Sequence, residues 1–195
     1  MNEAELENFK HAFLEKYNPS RDVGIAVSKS INAAVQHNSL YLPSLNQKTR
    51  REVRQYWGDY LLKLIKEYSV LREEDFFLEH IKSLQVCMNE KYSFAFRDLP
   101  HPRFQTDPGF RISHSQKSIS VFLKHLWCMN HIKRPPQCPV DAIILSKAGH
   151  RYPDTKWGFV NSIEIHQAKI SLLKSAKNDV SLPLAYWELK AFKIN

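Results

Sequence analysis

Apolar side chains recur every three or four residues through most of this chain, and no stretch alternates apolar with polar. That period belongs to a helix with one buried face, whereas a half-buried strand repeats every two residues. The pattern therefore predicts an all-α fold of roughly eight helices. Helices are expected over residues 1–17, with Leu6, Phe9, Phe13 and Leu14 on one face, and over 21–36, with Val23, Ile25, Ala26, Ile31, Ala34 and Val35. The longest, 46–68, opens on the basic cluster KTRREVR and continues through Tyr56, Trp57, Tyr60, Leu61, Leu64 and Ile65, and another covers 73–88. Further on, 115–130 carries Ile119, Phe122, Leu123, Leu126 and Trp127 as an apolar stripe. Shorter helices follow over 140–147, 160–175 and 184–192, the first with Pro139 in its opening turn.

Residues 90–112 break the period with three prolines, a glycine and four phenylalanines. The chain is expected to form one all-helical domain over 1–195, either compact or as two lobes joined near 90–112. Phe94, Phe96, Phe104 and Phe110 either line a pocket or wedge into a duplex, or else pack beneath the loop. A length of 195 residues with 43% hydrophobic side chains is enough for a core without staples. Cys87, Cys128 and Cys138 cannot all pair, so reduced thiols are expected. No apolar run is long enough to span a membrane, and the acidic start MNEAELENFKH lacks the pattern of a secretory signal. A cytoplasmic monomer is the expectation. A net charge of +8 and a pI near 9.4 favour a polyanionic partner, for which DNA is the reading adopted.

The segment SHSQKSISVFLKHLWCMNHIKRPPQCPVDAIIL carries the sharpest chemical signal. It sets Lys117 near the start of an apolar helix and Asp141 near the start of the next, with a proline-rich connector between. Breaking a glycosidic bond needs a group that stabilises positive charge at the sugar, and a carboxylate does this while also taking a proton from a nucleophile. If the nucleophile is a lysine amine, the product is a Schiff base, which opens the way to strand cleavage by elimination. Two helix N-termini on one connector can aim both groups at one cleft.

The order of lysine, amphipathic helix, turn and Pro-Val-Asp-x-x-Ile resembles the helix-hairpin-helix DNA glycosylase superfamily, particularly its archaeal oxoguanine branch. The resemblance covers roughly residues 109–145. It implies an all-helical fold with a helix-hairpin-helix-like element and a base flipped into a cleft. It also implies Lys117 as the Schiff-base nucleophile, Asp141 as its assistant, and no cofactor. An oxidised purine is the implied substrate, and a hypermodified base of phage DNA is a second candidate. The family's hairpin carries glycines before the lysine, whereas Ser113 and Ser115 stand here. Ser113, Ser115 and Gln116 are therefore expected to bind phosphate through hydroxyl, amide and helix N-terminus. Lys124, Lys133, Arg134, Arg51 and Arg54 are further candidate backbone contacts, and Phe110, Trp157 and Phe159 are expected to line the base pocket. Three scattered cysteines do not supply the four-cysteine cluster of some relatives.

Three other readings use different residues. Cys128, His131 and Cys138, with His150 or His166, make a candidate zinc set of irregular spacing, although no metal is the expectation. Arg97 and His101 are the nearest pair for a helical ribonuclease. A basic helical adaptor without chemistry would leave Lys117 and Asp141 apart and exposed.

Overall fold

The computed structural model describes residues 2–36, 39–97, 109–177 and 181–191. Helices run over Glu3–Tyr17 (α1), Val23–Val35 (α2), Gln47–Glu67 (α3) and Glu74–Tyr92 (α4). They continue over Ile112–Cys128 (α5), Ala142–Lys147 (α6), Ile163–Ser175 (α7) and Leu184–Ala191 (α8). A single 3-10 turn, Ser93–Ala95, follows α4. No strand forms among the described residues, where one isolated bridge joins Tyr41 to Phe96. The protein is all-α.

Side-chain caps start the helices where the sequence offers them. Asn2, Asp22, Asn46, Asp141 and Ser162 each accept a hydrogen bond from a backbone N–H three residues on, satisfying a donor that the first turn leaves open. Asp141 and Ser162 thus delay α6 and α7 to Ala142 and Ile163, later than the expected 140 and 160.

The centre of the molecule is α5. Helices α1, α2, α3, α4 and α7 all pack on it, α2 most extensively. Every residue of α5 except Val121 is buried, including nine polar ones. Its polar groups must therefore find partners inside the protein. Trp57 Nε1 donates to Ser118 Oγ at 3.0 Å, and the Ser118 hydroxyl donates to the His114 carbonyl. Gly58 lets α3 close on α2, since a Cβ there would lie 3.1 Å from Val27 Cγ1.

Two apolar clusters fill the interior. The larger runs from Leu6 to Ile132 and also takes in Val160, Ile163, Ala185 and Leu189. It takes in Ala95, Phe96, Phe110 and Ile112 from the described ends of residues 90–112. The smaller cluster gathers Cys138, Val140, Ile144, Leu145, Ile170, Leu173 and Leu184 beneath α6, α7 and α8. Phe104 and His101 lie outside the described residues.

The expected hairpin geometry needs one correction. Helix α5 begins at Ile112, three residues before the expected start, so Lys117 is its sixth residue. The field of a helix terminus fades beyond the first turn, and Lys117 stands outside it. The entry is set by Gly109, at φ +78, and by the Arg111 N–H, which donates to His114 Nδ1 at 3.1 Å.

Candidate active site

Lys117, Val121, Lys124 and His125 stand at i, i+4, i+7 and i+8 of α5, which places them on one helix face. This face floors a cleft of about 540 Å³. Helix α2 and its C-cap wall one side with Lys29, Asn32 and Gln36, and the connector closes another with Pro139 and Asp141. Phe13, Trp157 and Glu188 complete the lining from three further places in the chain.

At one end, Lys117 Nζ donates to Asp141 Oδ2 at 2.5 Å, with the two side chains only 9% and 14% exposed. The other carboxylate oxygen, Oδ1, accepts from the Ile144 N–H at 2.8 Å and caps α6. Gln116 fixes the connector just before it. Its Nε2 donates to the Val140 carbonyl at 2.9 Å and its Oε1 accepts the Val140 N–H at 3.3 Å. The aspartate is thus held at both its side chain and its preceding residue. Trp157 covers this end, with Lys117 Nζ 5.7 Å from its ring centroid.

About two helical turns further along α5, Lys124 Nζ donates to Glu188 Oε1 at 2.8 Å, with both side chains almost wholly buried. Burial raises the Glu188 carboxyl above its usual range, and the Lys124 ammonium opposes that rise. His125 beside them is held down to about 4, first by burial and then by Lys124 and Lys29, so its ring is uncharged at neutral pH. Phe13 packs against it at a tilt of 54°, with ring centroids 4.8 Å apart, and its ring centroid also lies 4.6 Å from Lys124 Nζ.

Of the residues expected to act, the fold brings Lys117, Asp141, Lys124 and Trp157 to this cleft. Arg54 reaches its edge, donating from Nη2 to Asn32 Oδ1 at 2.7 Å. Arg51 and Lys133 are exposed elsewhere, and Arg134 lies over the Tyr186 ring. Phe159 is partly buried outside the cleft, with Lys156 Nζ 4.9 Å from its ring. Ser113, Ser115 and Gln116 are completely buried and so do not face phosphate. The Ser113 hydroxyl donates to the Gly158 carbonyl, and Gln116 serves the connector instead. Lys124 is likewise a buried ion-pair partner rather than a surface cation. Phe110 is not a pocket residue either: it packs edge-on against Trp57 at 4.7 Å within the main core.

The zinc reading loses its geometry, and the partner that the ribonuclease reading gives Arg97, His101, lies outside the described residues. Among the described residues no three His, Cys, Asp or Glu side chains gather as a metal-binding group, so Cys128, His131 and Cys138 do not form the irregular zinc set. Burial pushes the Cys128 thiol up to about 12 and the Cys138 thiol well above its usual range. His166 is occupied with Gln137, its Nε2 lying 2.8 Å from Oε1. Arg97 spends its Nε on Ser39 Oγ at 2.9 Å.

Sequence reasoning missed Glu188, Phe13 and the α2 wall. A signal existed for Glu188, which follows Leu184 by four and Ala185 by three and so shares their buried face. An acid on the apolar face of a helix asks for a buried partner. No protein-family model matches the chain, and the comparisons with curated proteins and with solved structures give no match.

Proposed function

We propose that this protein is a DNA glycosylase with lyase activity, acting on a flipped, damaged or modified base. The observation that carries the reading is the Lys117–Asp141 contact at 2.5 Å inside a cleft of about 540 Å³. An amine and a carboxylate in direct contact are what nucleophilic displacement of a base requires. Asp141 Oδ2 takes a proton from Lys117 Nζ, and the amine attacks the C1′ carbon of the sugar. The C1′–N bond breaks, and its electrons leave with the base, which takes up the proton held by Asp141 and so returns the carboxylate to its charged form. Loss of a second proton from the nitrogen, with ring opening, gives the Schiff base. Abstraction of a proton from C2′ then expels the 3′ phosphate by elimination. Asp141 stabilises the positive charge that develops at the sugar.

The cleft supports a flipped base because it is concave and sets the Phe13 and Trp157 rings beside convergent polar groups. Lys29 and Arg54 at its edge are suited to phosphate, and the net charge of +8 adds non-specific attraction to DNA. The non-catalytic adaptor reading asks for Lys117 and Asp141 apart and exposed, and their buried contact weighs against it.

Borohydride trapping tests the proposal. The protein is incubated with duplexes carrying an abasic site or one of a panel of damaged and hypermodified bases, beside Lys117→Ala and Asp141→Asn. A trapped adduct in the wild type that is lost in Lys117→Ala is expected. Base release without an adduct would keep a glycosylase and remove Lys117 as its nucleophile. Binding with neither release nor adduct would leave the adaptor as the better account.

A further inference from the structure

The end of the cleft away from Lys117 and Asp141 holds neither the nucleophile nor its carboxylate partner, yet it is the most costly piece of the site to bury. Lys124 and Glu188 are 4% and 2% exposed, and the acid comes from 64 residues further along the chain. Taking such a pair out of water costs several kcal/mol per ion before their attraction is counted, and well-packed apolar side chains often do as well for stability. His125 adds an unmet demand there, for its Nδ1 is buried with no hydrogen-bond partner. Seven residues of α5 separate Lys117 from Lys124, or about 10 Å along the axis. That length accommodates a sugar at the first pair with its base reaching the second.

We infer that Lys124 and Glu188 are the specificity-determining pair of this cleft, reading a nucleobase whose edge sets a ring N–H beside a carbonyl oxygen. The inference rests on the glycosylase reading for the site's purpose, and on the geometry of the second pair for its chemistry. An ammonium has three donors and a carboxylate about four acceptor sites, so the two can hold each other and a ligand at once. The Glu188 carboxylate accepts the ring N–H while the Lys124 ammonium donates to the carbonyl. Edges of the cytosine or adenine kind also set an acceptor beside a donor, so matching alone does not decide between them. Two effects favour the lactam. Its ring N–H is a more acidic donor than an exocyclic amine and makes the stronger bond to a carboxylate. A carbonyl also collects the negative charge of a departing base, where an adjacent ammonium stabilises it. The Phe13 ring lines this end beside the uncharged His125 ring, from which it is tilted by 54°, and offers one aromatic face to a planar ligand.

The test separates base reading from chemistry. Affinities of guanosine, inosine and uridine, against cytidine and adenosine, are measured for the wild type, Glu188→Gln and the charge-neutral double variant Lys124→Met/Glu188→Leu. Circular dichroism checks the fold of each. The lactam nucleosides are expected to bind the wild type about tenfold more tightly, from one charge-assisted hydrogen bond, with the preference collapsing in both variants. Equal affinity for the two groups, a preference for cytidine or adenosine, or a preference that survives in the double variant would overturn the inference. Borohydride trapping on abasic DNA, which has no base to read, reports on the glycosylase reading separately. A lactam preference without any adduct leaves the reading pair standing and removes the lyase, and an adduct without the preference does the reverse.

Discussion

Asp141 gives its two oxygens different work: Oδ1 caps α6 and Oδ2 holds Lys117. Substitutions there should separate the two roles. Asparagine keeps an oxygen for the Ile144 N–H and loses the charge, whereas alanine loses both. Asp141→Ala is therefore expected to cost about 1 kcal/mol more than Asp141→Asn in urea denaturation, the usual value of an N-cap. Equal losses would mean that the cap contributes nothing. The Lys124–Glu188 pair makes a sharper case, since its charges are nearly sealed from water. Glu188→Leu alone should destabilise by about 3–5 kcal/mol, because it strands the ammonium. Adding Lys124→Met should recover most of that loss, and a double variant as unstable as the single one would show that the pair is needed for stability itself.

At the scale of elements, α5 was legible as a helix but not as the centre of the molecule. Its apolar stripe of Ile119, Phe122, Leu123 and Leu126 predicts one buried face, and the opposite polar face looks ready for solvent or phosphate. That face is instead buried, Gln116 against the connector, Ser113 against the Gly158 backbone and Lys124 against Glu188 of α8, so Ser113, Ser115 and Gln116 read as ligand groups when they are internal ones. Periodicity reports only where apolar side chains fall, and a helix surrounded on all sides can use polar groups wherever a neighbour supplies partners. Lys117 and Asp141 were legible because a proline-rich connector returns the chain to the helix that it has just left. Glu188 was not, because its place in the cleft depends on how α8 docks, 64 residues beyond Lys124. The connector's register rests on Gln116, which pairs with both backbone groups of Val140. Gln116→Leu is expected to cost about 2 kcal/mol by leaving the Val140 N–H and carbonyl unsatisfied. It should also slow adduct formation on abasic DNA, because Asp141 is the next residue. Gln116→Glu, which sets a buried carboxylate oxygen against the Val140 carbonyl, should cost more than Gln116→Leu. A leucine variant that reacts at the wild-type rate would remove Gln116 as a positioning residue.

The whole molecule records its buried histidines in the pH dependence of its stability. His125 and His166 are both held down to about 4 from an ordinary value of 6.5, His166 by burial alone. Both are therefore neutral in the folded state across the range in which the unfolded chain takes up protons. The stability that depends on their neutrality is complete above about pH 6.5 and is lost progressively as the pH falls towards 4, where the folded state begins to bind protons too. Two and a half units correspond to up to about 3 kcal/mol for each ring. Glu188 acts with the opposite sign. Its raised carboxyl is protonated in the folded state before it is in the unfolded one, which offsets part of the loss. Urea denaturation between pH 7 and 4 should accordingly show stability falling by several kcal/mol, within the limit that the two histidines set. His166→Gln isolates one contribution, since His166 lies against Gln137 in the interior and away from the cleft. That variant starts from a lower stability at pH 7 but should lose about half as much on acidification as the wild type, the share of one ring in two. Parallel curves for the two proteins would mean that His166 binds its proton equally well folded and unfolded, and would place the acid sensitivity of the fold elsewhere.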